Sequence, residues 1–204
     1  RRFRQARARL DAVVFGLIEA RRRDGREGCD LLSILLAARD EDGRPMPDAL
    51  VRDEALTLLL AGHETTANAL SWAWDALSRT PAAEERLHAE LDAVLGARDP
   101  VPADAARLPY TREVVAETMR LRPPAWILGR RVVRPIALGA WVLPAGNIVL
   151  ASQYVTHRSP RLWTEPEAFR PERWSNGETA GLPRFAYFPF GGGNRICIGE
   201  GFAW

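Results

Sequence analysis

Apolar residues recur at helical spacing from the start of the chain. Phe3, Leu10, Val13, Val14, Leu17 and Ile18 predict an amphipathic helix over residues 3–23. Asp30 can cap a second helix to about residue 38, and Gly43, Pro45 and Pro47 break EDGRPMP into a loop. From Ala49 to about Arg79 nothing stops a helix of roughly 30 residues, about 45 Å long. Pro81 opens the next helix, which ends near Gly96, and another runs from about Thr111 to Leu121, ended by Pro123 and Pro124. The pattern then changes. Residues 131–134, 137–143 and 148–154 are short and rich in Val, Ile and Leu, with Gly139 and Pro144-Ala145-Gly146 as turns, and read as small strands. Residues 157–190 hold many prolines and aromatics with little period, which predicts a long packed meander. The fold class expected is mainly α with a small β-sheet.

Composition narrows the setting. At 204 residues, 47% hydrophobic and 26% charged, the chain has the size of one globular domain or part of a larger one. No apolar run approaches the ~18 residues needed to cross a bilayer, so no membrane segment is expected. The net charge of +2 makes no case for nucleic acid, although Arg1, Arg2, Arg4, Arg7, Arg9, Arg21, Arg22, Arg23 and Arg26 crowd the first segment. There is no lysine, which excludes a phosphate-binding P-loop and hints at a high-GC bacterial genome. Cys29 and Cys197 make no disulfide framework, so a reducing, cytoplasmic location is the expectation. The chain begins at Arg1 without methionine and stops at Trp204. Both ends read as cut, leaving residues 1–204 as a single partial domain and any upstream targeting or anchoring segment open.

Three stretches break local rules. AGHETT, residues 61–66, puts Gly62, Thr65 and Thr66 inside the long helix, where they are poor choices. Two readings stand: close helix packing, or a groove in which Glu64 and Thr65 form an acid–alcohol pair able to pass protons. Glu117 and Arg120 share a helix face, but Glu19/Arg22, Glu41/Arg44 and Glu167/Arg170 repeat that spacing, so alone it carries nothing. FGGGNRICIG, residues 190–199, sets three glycines before a single cysteine, which implies close approach of something to this backbone. By itself Cys197 could equally be a buried structural thiol. His63, His88 and His157 have no Cys or His cluster around them, so no zinc site is expected.

AGHETT, ETMR, FRPERW and FGGGNRICIG, in that order across residues 61–199, resemble the cytochrome P-450 family of haem-thiolate monooxygenases. The resemblance covers nearly the whole chain. It implies a partial fold of that family, with the long central helix and the proximal cysteine loop but without the N-terminal half and C-terminal tail. Cys197 would then ligate the iron of haem b through its thiolate. Gly191, Gly192 and Gly193 would let the loop turn beneath the macrocycle, and Phe190 would limit water near the sulfur. Arg130 and Arg195 would pair with propionates, and Gly199 would keep the backbone close where a helix begins behind the ligand. Glu64 and Thr65 would deliver protons during O2 activation. Ala61, Trp126, Ile127 and Leu128 would line the pocket, and Glu117, Arg120 and Arg173 would form a structural network.

The activity implied is insertion of one oxygen atom into a small apolar substrate. Electrons would come from NAD(P)H through a ferredoxin- or flavodoxin-type partner or a reductase. The competing readings are an arginine-rich module for nucleic acid or an acidic partner, and an inactive gene fragment. Colour separates the first of these, since a haem protein absorbs strongly in the visible.

Overall fold

The computed structural model describes residues 1–25 and 28–204; Arg26, part of the arginine-rich segment, and Glu27 lie outside the described residues. By backbone packing the chain forms two compact units, Arg1–Glu64 and Thr65–Trp204. One long helix, α3 (Asp48–Ser78, 31 residues), contributes to both.

In the first unit, α1 (Arg2–Asp24) ends at Gly25, whose φ of 59° is the left-handed conformation that closes helices with glycine. The Asp30 carboxylate accepts from the Ser33 amide at 3.0 Å and starts α2 (Leu31–Ala37). Ile18 and Val51 are fully buried, while Phe3, Leu10, Val13 and Leu17 of α1 are exposed. Three arginines of α1 are ion-paired: Arg7 with Asp11, Arg21 with Asp30 and Arg22 with Asp48.

In the second unit, α4 (Pro81–Leu95) has proline in its first turn and Gly96 after its last residue. The helix α5 (Pro109–Leu121) begins two residues earlier than periodicity predicts. The reason is tertiary. The Glu90 carboxylate, from α4, accepts from the amides of Tyr110 at 2.7 Å and Thr111 at 2.8 Å, satisfying donors the sequence leaves open. Leu77, Ala83, Leu87, Tyr110 and Val114 pack into the core, with Leu91 and Phe169 against it.

Among the described residues the strands form two separate two-stranded antiparallel sheets, not one small sheet. β1 (Leu128–Arg131) pairs with β4 (Ile148–Ala151), and β2 (Ile136–Leu138) with β3 (Trp141–Leu143). The expected strand at 131–134 sits three residues too late, because β1 takes its register from β4 and Arg134 precedes Pro135. Gly139, at φ 58°, splits the expected 137–143 strand into a hairpin. The expected 148–154 strand ends at Ala151, where the Ser152 hydroxyl accepts from the Val155 amide at 3.3 Å and opens α6 (Gln153–Thr156). Residues after α6 form the aperiodic meander, with a 3₁₀ turn at Pro171–Trp174, and the chain reaches α7 (Glu200–Ala203). No helix among the described residues is long and apolar enough to cross a membrane.

Candidate cofactor site and its supporting network

The most polar buried cluster begins on α5. Glu117 and Arg120 stand one turn apart with no exposed surface, and Arg173 of the meander is equally buried. Arg120 grips Glu117 through two bonds, Nε to Oε2 at 2.9 Å and Nη2 to Oε1 at 2.8 Å. Its remaining donors reach the carbonyls of His157 and Pro166, both at 2.7 Å, and Ala168 at 3.1 Å. All five guanidinium N–H groups are thereby used. Glu117 also accepts from Arg173 Nε at 2.9 Å, the Arg170 amide at 3.0 Å and Trp174 Nε1 at 3.2 Å. Charge burial on this scale is tolerable only with such complete pairing.

Sequence reasoning missed Trp174, Glu178 and the ring of carbonyls. Glu178 accepts from Arg173 Nη1 at 3.0 Å and from Arg170, and the flanking Asn176 and arginines hold its carboxyl below the usual range. No local pattern distinguishes these residues from their surface counterparts.

The loop from Phe190 to Gly199 is built differently. Its backbone closes on itself, with the Cys197 amide donating to Phe190 O at 3.0 Å and the Gly191 amide to Phe188 O at 2.9 Å. Gly191 (φ 78°) and Gly193 (φ 69°) adopt left-handed backbone that side chains resist. Gly192 is extended, but a Cβ there would lie 2.5 Å from the Phe185 ring, so close approach excludes one. A Cβ on Gly199 would sit 3.8 Å from Cys197 Sγ. A cavity of about 290 Å³ opens beside the loop, lined among others by Phe185, Phe188, Phe190, Gly192, Ile196 and Trp204.

What this loop presents is unpartnered. Cys197 is a free, exposed thiol, and Ile198 beside it is 88% exposed. Arg195 is exposed and has no carboxylate partner among the described residues; nor has Arg130, which bonds only the carbonyl of its neighbour Gly129. Leu128 approaches Gly191, its methyl 3.4 Å from where a Cβ would stand. Arg130 leaves β1 on the same face as Leu128, two residues on.

The remaining sequence-predicted residues lie apart from this loop in the chain. Ala61, Glu64 and Thr65 occupy exposed positions of α3. Trp126 is exposed, and its carbonyl accepts from the Ser152 hydroxyl at 3.0 Å and the Tyr154 amide at 3.3 Å. Its ring lines an open cleft of about 460 Å³ with Asn68, Trp72, Arg122, Pro124 and Tyr154; Ile127 and Leu128 do not line it. No group of His, Cys, Asp and Glu able to hold a metal by itself occurs among the described residues.

The loop thus sets a free, exposed thiol near two arginines, Arg130 and Arg195, that have no carboxylate partner among the described residues. The family model for cytochrome P450 matches residues 1–204, and the chain belongs to the cytochrome P450 family. It is 47% identical to cyclooctatin synthase of Streptomyces melanosporofaciens over 99% of its length, covering 44% of that protein. It is 41% identical to cyclooctat-9-en-7-ol 5-monooxygenase of the same organism over 98% of its length, again 44% of the relative. The solved structure of cyanobacterial CYP120A1 with retinoic acid bound superposes with a TM-score of 0.92 at 35% identity, over 98% of this chain and 46% of that one. The chain therefore spans less than half the length of these relatives.

Proposed function

We propose that this chain carries the thiolate-ligand part of a haem-dependent monooxygenase that inserts one atom of O2 into a small apolar substrate. The observation that carries the reading is Cys197: a free, exposed thiol on a loop turned by left-handed Gly191 and Gly193. The donor set suits haem. A thiolate is an axial ligand for haem iron, the unpaired Arg130 and Arg195 suit two carboxylates, and exposed Ile196 and Ile198 suit an apolar macrocycle. When bound, haem supplies reductive activation of dioxygen, favoured by electron donation from the thiolate.

Each of this chain's residues then has a task. Cys197 Sγ holds the iron, and Arg130 and Arg195 hold the propionates by charge. Phe190 limits water access to the sulfur, which tunes the site's potential. Gly199 keeps the backbone within van der Waals reach of Sγ. Glu64 and Thr65, adjacent on α3, would hold and move protons during O2 activation. Ala61, Trp126, Ile127 and Leu128 contact the substrate. Glu117, Arg120 and Arg173 do no chemistry and keep the scaffold rigid. Electrons come from NAD(P)H through a ferredoxin- or flavodoxin-type partner or a reductase. The word monooxygenase in the name of one relative supports the reaction class.

The test is spectroscopic. In the intact protein the ferrous carbon monoxide complex shows the thiolate-type band, and Cys197→Ala abolishes it. A variant that keeps the band, or a wild-type protein without visible absorbance, overturns the reading.

A further inference from the structure

One residue stands between the buried ion network and the cysteine loop, its carbonyl bonded to the first and its ring to the second. His157 closes α6 and has no exposed surface. Its carbonyl accepts from Arg120 Nη1 at 2.7 Å, and its ring Nε2 accepts from the Phe188 amide at 3.0 Å. The ring packs against Tyr187, centroids 5.1 Å apart, and edge-on against Phe188 at 5.2 Å. Tyr187 is itself tied to α5, its hydroxyl donating to Ala116 O at 3.0 Å. Phe188 is where the loop departs: its carbonyl takes the Gly191 amide, and Phe190 O takes the Cys197 amide.

We infer that His157 is a positioning residue that fixes the Cys197 loop to the Glu117–Arg120 network, with Nε2 as the acceptor for Phe188. The inference rests on the reading of Cys197 as the haem ligand. A neutral imidazole has one acceptor nitrogen. Because Nε2 accepts, the ring proton sits on Nδ1, which faces the carbonyls of Met119 and Arg120 without closing a hydrogen bond to either. A histidine kept in a buried site with one nitrogen short of a full hydrogen bond is poor packing material, since an under-satisfied polar atom there costs more than an apolar side chain of similar size. Its return is the Phe188 N–H, which no neighbouring carbonyl accepts. Burial also keeps the ring neutral at ordinary pH, so the acceptor is always present. From Arg120 to Cys197 the path runs through one backbone carbonyl, one imidazole and one tight turn.

Hydrogen–deuterium exchange of the intact protein without haem, read over residues 188–197, tests this together with the carbon monoxide spectrum of the loaded protein. His157→Leu removes the acceptor, and exchange across the loop is expected to rise about tenfold, the worth of one hydrogen bond. The loaded variant should lose a fraction of its thiolate-type band. His157→Gln, whose Oε1 reaches the Nε2 position, should restore both. Should the leucine variant not fold, His157→Asn takes its place, since its amide falls short of Phe188 and the same loss is expected. Wild-type exchange in the leucine or asparagine variant overturns the proposal, as does a glutamine variant as fast as leucine, which would assign the effect to ring packing. A wild-type protein lacking the thiolate-type band refutes the ligand reading instead, whatever the exchange shows.

Discussion

The Glu117–Arg120–Arg173 cluster and the Cys197 loop treat polar groups in opposite ways. In the cluster three charged side chains are buried, yet every N–H of Arg120 has an acceptor and Glu117 has five donors. In the loop Cys197, Arg195 and Ile198 stand exposed, and neither the thiol nor the arginine has a side-chain partner among the described residues. The first region is complete within the chain. The second is turned by left-handed Gly191 and Gly193, with the Phe185 ring against Gly192, and leaves its thiol in solvent. Full pairing and exposure are thus placed on different elements, and the meander joins them.

Substitution separates the two regions most strongly at Glu117. Glu117→Ala leaves the buried Arg120 without a carboxylate and Arg173 with only Glu178, and should cost the intact haem-free protein roughly 3–5 kcal/mol in urea unfolding. A loss under about 1 kcal/mol would mean the cluster is not the closed unit its hydrogen bonds describe.

Acid probes the junction next. Burial, with Arg120 and Arg158 nearby, pulls His157 from its ordinary 6.5 down to about 4, while the carbonyls of Met119 and Arg120 oppose the shift. Between those values the unfolded chain binds the proton and the folded chain does not. Stability from the neutral ring is therefore full above about pH 6.5 and lost as pH falls towards 4, by at most roughly 3 kcal/mol. Unfolding curves from pH 7 to 4 should show that slope in the wild type and its disappearance in His157→Gln. An equal slope in both would place the acid sensitivity elsewhere.

The smallest effect belongs to the loop. Ile198→Ser, at an 88% exposed site, should leave haem-free stability within about 0.5 kcal/mol of wild type while speeding haem release from the loaded protein. Destabilisation comparable to that of Glu117→Ala would erase the contrast between the regions.

Much of this was legible in the residues. Helical periodicity and proline or glycine breakers located α1 to α5 within two residues of their observed ends, because these signals act within a turn or two of the chain. Strands were read less well. Register belongs to the partner strand, so the expected 131–134 strand moved to Leu128–Arg131 once β4 was beside it.

The E-x-x-R pattern shows where local reading ends. Four pairs share the spacing, yet only Glu117 and Arg120 bond each other among the described residues. Arg22 goes instead to Asp48, Arg44 to Asp42, and Arg170 to Glu165 and Glu178. Spacing put each pair on one face or one turn; burial under the meander chose one of them. The choice depends on carbonyls 37 to 48 residues away, at His157, Pro166 and Ala168, and no window of sequence contains them. For the loop the division is similar. Three glycines beside a cysteine announced close approach, but that Gly192 is held by the Phe185 ring, and Phe188 by His157, was decided only when distant segments packed together. Backbone periodicity is a property of neighbours in the chain, whereas desolvation and hydrogen-bond completion are properties of neighbours in space.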